Sequence, residues 1–175
     1  FYFNQNLIAE LKLENPYDLV ETGNWTLTKF NEMALTAYVD KNGDGKEDPE
    51  DQFGFIIRNE NHATNFVSSS GLRIAERDAN GIPQMLLGTE AIVNLADQIN
   101  AYMKQFGFAT QTDTSDSYLT TFDNNQALFV TGEFSNIEIY RDLDFEFGII
   151  PYPKADETQD NYISTCRNNY SGFAI

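Results

Sequence analysis

Residues 40–51, DKNGDGKEDPED, constrain this chain more than any other segment, because they space oxygen donors as a calcium loop spaces them. Asp40, Asn42, Asp44, Asp48 and Asp51 fall at positions one, three, five, nine and twelve. Gly45 stands at position six, where such a loop turns sharply, and Lys46 at position seven offers only its backbone carbonyl. The spacing nominates Asp40, Asn42, Asp44, Lys46, Asp48 and Asp51 as the ligands of a structural Ca2+ ion. Asp51 stands where a glutamate usually closes the loop, and its shorter arm bears on affinity more than on the identity of the ion. The competing reading is an acidic turn without metal, since Asn-Gly and Asp-Gly pairs also mark turns.

The flanks decide what kind of loop this is. Before it, Leu27, Phe30, Met33, Ala34, Ala37 and Tyr38 recur at helical spacing behind Thr26, a suitable N-cap. After it, residues 52–57, QFGFII, form the short aromatic and β-branched run of a strand. The loop therefore joins a helix to a strand, and no second loop of its kind occurs in the chain. A structural clip fits this arrangement better than a paired conformational sensor.

Elsewhere the chain alternates helices with short strands. Leu7, Ile8 and Leu11 make a helical stripe after Asn4, ended by Asn15 and Pro16. Residues 17–20 add a turn of helix before the GNWT break at 23–26. Residues 61–70 are expected to be helical up to a C-cap at Gly71, and 74–85, with DANG and IP, to form a hairpin or turn between short strands. Thr89 caps the strongest helix, with Ile92, Val93, Leu95, Ala96, Ile99, Tyr102, Met103 and Phe106 on its inner side and Gly107 behind it. A helix over 116–123, buried strands at 127–130 and 145–150, and a helix between Asn136 and Asp142 complete the expectation of an α/β layer arrangement.

Composition narrows function. At 175 residues the chain is long enough to bury a real core. A net charge of -16, with 27 acidic and 11 basic residues, argues against a nucleic-acid surface, which needs clustered Lys and Arg. Cys166 stands alone, so no internal disulfide forms, and the single histidine, His62, builds neither a zinc site nor a Cys-His pair. GxSxG and HExxH are absent. No apolar stretch approaches the roughly 20 residues that span a bilayer. A chain that starts at Phe1 and stops at SGFAI, as if in mid-strand, reads as an excised piece. A calcium loop of modest affinity suits the calcium-rich space outside the cytosol. Two rival classes stay open: a calcium-dependent protein-interaction module, and a glycan-acting enzyme domain, for which the many acidic residues supply any number of carboxylate pairs.

Four stretches, FYFNQNLIAELKLENPYDLVETGNWTLTKFNEMA, DKNGDGKEDPEDQFGF, NQALFVTGEF and FEFGIIPYPKADETQDNY, resemble in order and spacing the extracellular solute-binding proteins of bacterial carbohydrate ABC transporters, of the maltose-binding kind. The resemblance implies a helix-rich lobe of a type II periplasmic-binding-protein fold with a small mixed sheet. It implies that residues 1–175 are one domain, the inserted second lobe of a two-lobed, monomeric, non-catalytic protein. Such a protein closes on a carbohydrate ligand, an oligosaccharide, and presents it to the permease subunits of the transporter. The full-length protein would be extracellular, tethered as a lipoprotein or held in the periplasm.

The resemblance also nominates ligand contacts. Phe134, after Gly132 and Glu133, matches the place of a stacking aromatic, with Glu133 beside it as a hydroxyl acceptor. The competing readings are a core phenylalanine and a carboxylate that favours a helix N-terminus. Asn61, His62 and Asn65 follow the strand after the calcium loop, where such lobes present residues to their cleft. Trp25 is either a sugar platform or, as the resemblance favours, the residue that packs the long helix. Arg167, Asn168, Asn169 and Tyr170 lie near the presumed crossover and line the hinge or form a polar loop, and Tyr170 is carried as a ligand candidate.

Overall fold

The computed structural model describes residues 1–58, 60–110 and 121–165. Cys166, the 167–170 segment with Tyr170, and most of the expected 116–123 helix lie outside the described residues, while 121–125 form a turn.

Local chemistry sets the helices. Asn4 caps α1 (Gln5–Glu10) by accepting the Leu7 N–H at 3.0 Å. Asn15 caps α2 (Pro16–Glu21), where Pro16 occupies the first turn that tolerates a missing N–H. Thr26 accepts from the Lys29 N–H at 3.3 Å and starts α3 (Leu27–Ala37), which buries Leu27, Phe30, Met33, Ala34 and Ala37 on one face. The 61–70 segment divides into a 3-10 turn (Glu60–Ala63) and α4 (Thr64–Ser69), followed by Gly71 with φ +73. Helices α5 (Glu90–Tyr102) and α6 (Ile137–Tyr140) follow.

The strands are β1 (Tyr2–Asn4), β2 (Phe53–Ile57), β3 (Ala75–Arg77), β4 (Pro83–Met85), β5 (Phe108–Thr110), β6 (Ala127–Val130) and β7 (Phe147–Ile149). β3 and β4 form a separate exposed hairpin. The others make a five-stranded sheet in the order β5-β2-β6-β1-β7. β2 runs parallel to β5 and β6, and β1 runs antiparallel to β6 and β7. The sheet is thus mixed and the class α/β. Buried side chains divide into two clusters. One gathers Phe1, Phe3, Phe55, Ile57 and Phe129 with Trp25, Phe30, Met33 and Phe66. The other gathers Tyr2, Phe53, Ile56, Ala127 and Val130 with Phe122, Tyr140 and Phe145.

Several expectations need correction. Val93, Ala96 and Phe106 were placed on the inner side of α5, yet all three are exposed, Val93 and Phe106 to 45% and 57%. The helix buries Ile92 and Leu95, Val93 sits a third of a turn away, and Phe106 lies beyond the last helical residue with its ring 5.7 Å from that of Tyr38. The strand expected over 145–150 contracts to Phe147–Ile149. β1 and β5 were not anticipated at all.

Candidate functional site

The strand directions put one edge of the sheet to use. β2, β6 and β7 all end at the edge where antiparallel β1 begins, since Tyr2 pairs with both Val130 and Ile149. Chain leaving parallel strands at their carboxyl ends builds a crevice there. Around this crevice lies a cleft of ≈ 920 Å³. Asn61, His62, Thr64 and Asn65 reach it after β2; Gly132, Glu133, Phe134 and Ser135 after β6; Pro151 and Tyr152 after β7. Phe1 and Tyr2 form its floor at the start of β1, and Ser164 and Thr165 complete its lining.

Five of the nominated ligand residues, Asn61, His62, Asn65, Glu133 and Phe134, therefore line one cleft. Phe134 is 77% exposed, which removes the reading of it as a core residue. An aromatic ring left this open beside a cleft offers an apolar face to whatever enters. Its main chain is fixed from below: Tyr2 donates its hydroxyl to the Glu133 carbonyl at 2.6 Å, and Asn136 Oδ1 accepts the Glu133 N–H at 2.7 Å. Gly132 is required where it stands, because a Cβ there would lie 2.8 Å from Asn136 Oδ1 and from the Tyr2 ring.

Sequence reading missed Tyr152 and Thr131. Tyr152 accepts from Asn65 Nδ2 at 3.1 Å and donates to the His62 carbonyl at 3.4 Å, and its ring packs edge-on to Phe1 and Phe66. Burial pushes its phenol up to about 12, against the pull of the Asn65 bond, so it stays a neutral donor. Thr165 Oγ1 donates to Asn65 Oδ1 at 3.2 Å and continues the polar row. The signal for Tyr152 was its position in IIPYP, directly after a strand. Fully buried Thr131 joins the two walls, accepting from the Arg58 N–H at 2.9 Å and lying 2.9 Å from His62 Nδ1.

Trp25 does not reach the cleft. Its indole is 0% exposed, donates to the Pro151 carbonyl at 3.0 Å and packs against Phe1, Phe30 and Phe129.

The 40–51 loop occupies the opposite edge. It leads into β2, its Glu47 Oε2 accepts the Gly107 N–H just before β5, and Gln126 just before β6 donates to the Glu50 carbonyl. The length of β2, roughly 16 Å for its five residues, separates the loop from the cleft. Gly43 and Gly45 have φ +73 and +74, conformations that suit glycine. Asp40 accepts from the N–H groups of Gly43 and Gly45, Asn42 from Asp44, Asp44 from Lys46, and Asp48 from Glu50 and the Asn42 amide. Fully buried Asp51 accepts from the Lys41 and Asp48 N–H groups and from the Tyr38 hydroxyl. Asp51 thus ties both ends of the loop together through protein donors. The remaining donors are hard oxygens of the kind calcium takes. Among the described residues, however, no three carboxylate, imidazole or thiol groups are gathered as a metal set.

Among the described residues no helix is long and apolar enough to cross a membrane. No known protein family and no curated protein sequence matches the chain. Solved structures do. The maltose/maltodextrin-binding domain MalE from Bdellovibrio bacteriovorus, bound to maltotriose, aligns over 87% of this chain and 36% of its own, with TM-score 0.63 and 19% identity. The ABC substrate-binding protein Lmo0181 from Listeria monocytogenes, in complex with cycloalternan, aligns over 90% of this chain and 37% of its own, with TM-score 0.66 and 15% identity. The maltotriose binding protein of Thermus thermophilus, bound with maltotriose, aligns over 93% and 38%, with TM-score 0.62 and 15% identity. This chain therefore spans between a third and two fifths of these three proteins, and it has the fold of one α/β lobe of the maltose- and maltodextrin-binding ABC substrate-binding proteins.

Proposed function

We propose that this chain is the inserted second lobe of a non-catalytic, extracellular oligosaccharide-binding protein that supplies the permease of an ABC transporter. The observation that carries the reading is the cleft at the carboxyl edge of the sheet, which an exposed aromatic residue lines together with amide, hydroxyl and imidazole groups. A carbohydrate needs both, an apolar face for its C–H surface and paired polar groups for its hydroxyls. Structural neighbours named for bound maltotriose and cycloalternan support the same ligand class. Half a cleft covers half a ligand, so in this reading a first lobe closes on the sugar from the other side and the closed form is what the permease recognises.

Phe134 gives the test. In the two-lobed protein, Phe134→Ala is expected to weaken maltotriose binding by about 10- to 30-fold, the free energy of covering most of a phenylalanine side chain. The melting temperature should stay within the small range of surface substitutions, because the ring contributes little to the core. Isothermal titration with maltotriose and thermal melting separate the two quantities. An unchanged affinity for every neutral oligosaccharide tried would remove Phe134 from the binding surface and with it the main support for this reading.

We further propose that residues 40–51 hold a structural Ca2+ ion through Asp40, Asn42, Asp44, the Lys46 carbonyl and Asp48, with Asp51 closing the loop. The donor spacing and the two left-handed glycines support it. Calcium at a hundredfold excess over its dissociation constant would add about 2.7 kcal/mol, or roughly 5–11 °C in a domain of this size. The gain should vanish in EDTA and in the double variant Asp40→Ala, Asp44→Ala. Identical melting with calcium and with EDTA would return the loop to an acidic turn held by Asp51.

A further inference from the structure

We propose that Arg58 is a positioning residue for the cleft: it grips both buried ends of the 131–140 segment and so fixes the turn that presents Phe134. What Phe134 then meets rests on the carbohydrate reading above, whereas the grip itself does not.

The segment has little to hold itself with. Among residues 132–139 none is buried, and Phe134, Ile137 and Ile139 are all exposed. Helix α6 has four residues, too few to be stable by its own hydrogen bonds. Only the ends of the segment enter the protein, at Thr131 and Tyr140, which are 0% and 1% exposed. Tyr140 is the buried residue of α6, and its ring meets the Tyr2 ring edge-on with centroids 4.8 Å apart.

One residue reaches both ends. The Thr131 N–H donates to the Ile56 carbonyl at 3.1 Å, which sets Thr131 beside the end of β2, and there the Arg58 N–H donates to Thr131 Oγ1 at 2.9 Å. The half-buried Arg58 side chain crosses to the other end, where Nη1 donates to the Tyr140 hydroxyl at 2.6 Å and the guanidinium carbon lies 5.7 Å from the ring centre. A hydrogen bond from an ionised donor is roughly twice as strong as one between neutral groups. Arginine suits the task, because its long stem ends in a rigid fork of donors while its own N–H stays with the strand. Between the two grips, the Tyr2 hydroxyl pins the Glu133 carbonyl. A turn closed at both ends by one residue has few other places to go. Phe134 is therefore ordered before any ligand arrives, and binding is spared the cost of ordering it. Arg58 exerts this control from behind the turn, through Thr131 and Tyr140.

Amide hydrogen exchange tests the grip without sugar. The N–H groups of Glu133, Asn136 and Arg141 are bonded to Asn136 Oδ1, the Glu133 carbonyl and the Ile137 carbonyl, so their exchange reports opening of the segment. Tyr140→Phe keeps the ring in the core and removes the acceptor, and Arg58→Met keeps the stem and removes the donor. Each should speed exchange of these three amides by about tenfold or more, the worth of a hydrogen bond from a charged donor. The amides of Asp78, Leu86 and Val93, bonded to the Ile82, Ile74 and Thr89 carbonyls in other surface elements, should keep their wild-type rates. The double variant should exchange no faster than either single one, because both changes remove the same bond. Unchanged rates at Glu133, Asn136 and Arg141 overturn the proposal, as do additive effects in the double variant. Equal acceleration at Asp78, Leu86 and Val93 overturns it too, since Arg58 would then support the fold at large. Where Arg58→Met fails to fold, Tyr140→Phe, which retains the buried ring, decides the matter. A two-lobed protein that shows the local acceleration and takes no maltotriose keeps the grip and loses only the carbohydrate reading.

Discussion

Replacing Trp25 with alanine is expected to destabilise the protein by about 3–5 kcal/mol, the range for emptying a fully buried large aromatic site. In a domain of this size that is a fall of roughly 6–20 °C in Tm. Two terms add. The indole packs against Phe1, Phe30 and Phe129, so its removal opens a void in the aromatic core. Its Nε1–H also donates to the Pro151 carbonyl, which would lose its partner. The surrounding backbone collapses poorly into the space, because the Trp25 carbonyl and the Leu27 N–H are both bonded to Lys154. Trp25→Phe refills most of the volume and loses only the hydrogen bond, so its cost should be clearly smaller. Urea unfolding of the two variants beside wild type checks the order. A Trp25→Ala protein within 1 kcal/mol of wild type would show that this core does not depend on the indole.

The same substitution bears on the cleft, since Pro151 lines it. Trp25 holds the chain that leaves β7, and that chain carries Tyr152. Trp25, read in sequence as a helix-packing residue in preference to a sugar platform, therefore acts one layer behind the site, where it positions the wall.

What could be read in the sequence is what depends on neighbours in the chain. Thr26 is visible as a cap because a cap is made within three residues of itself, whereas Asn4 and Asn15, read only as the bounds of a helical stripe, cap α1 and α2. The face of α3 is visible because eleven residues display a helical period. β1 and β5 are three residues each, too short to show alternation, and exist only through partners distant in the chain, such as Val130 for Tyr2 and Phe55 for Phe108. The cleft divides in the same way. Phe134 stood out beside Gly132, and the 61–65 segment stood out behind a strand. Thr131 did not, since its hydroxyl acts on groups 73 and 69 residues away. Asp51 could be placed at the end of a loop, but not as the acceptor of Tyr38 and Lys41, because spacing carries no record of which donors turn inward.

Gly54→Ala is expected to cost at least about 3 kcal/mol, beyond the usual range for adding one methyl to a core. Gly54 and Phe55 both donate to the Gly107 carbonyl, at 2.9 and 3.0 Å, which anchors β2 to the start of β5 at the point where α3 comes closest to it. A Cβ at Gly54 would lie 1.9 Å from the Ala34 carbonyl oxygen and 2.5 Å from its carbon. No rotamer relieves that contact, because both partners are backbone. Either α3 lifts from the sheet or β2 shifts within it, and both break the edge-on contact of Phe30 with Phe55, whose ring centroids are 4.8 Å apart. Ala34→Gly should fail to rescue the variant, since the obstructing atoms remain. Gly88→Ala, with nothing within 4 Å of the added methyl, supplies the neutral control. Thermal and urea unfolding measure all three. Co-melting of Gly54→Ala with wild type would mean that helix and strand are not in backbone contact. The expected loss extends to the site, because β2 continues into Arg58, whose N–H fixes Thr131, and then into His62 and Asn65. A displaced β2 should therefore disturb the lining of the cleft even in the fraction of molecules that remain folded.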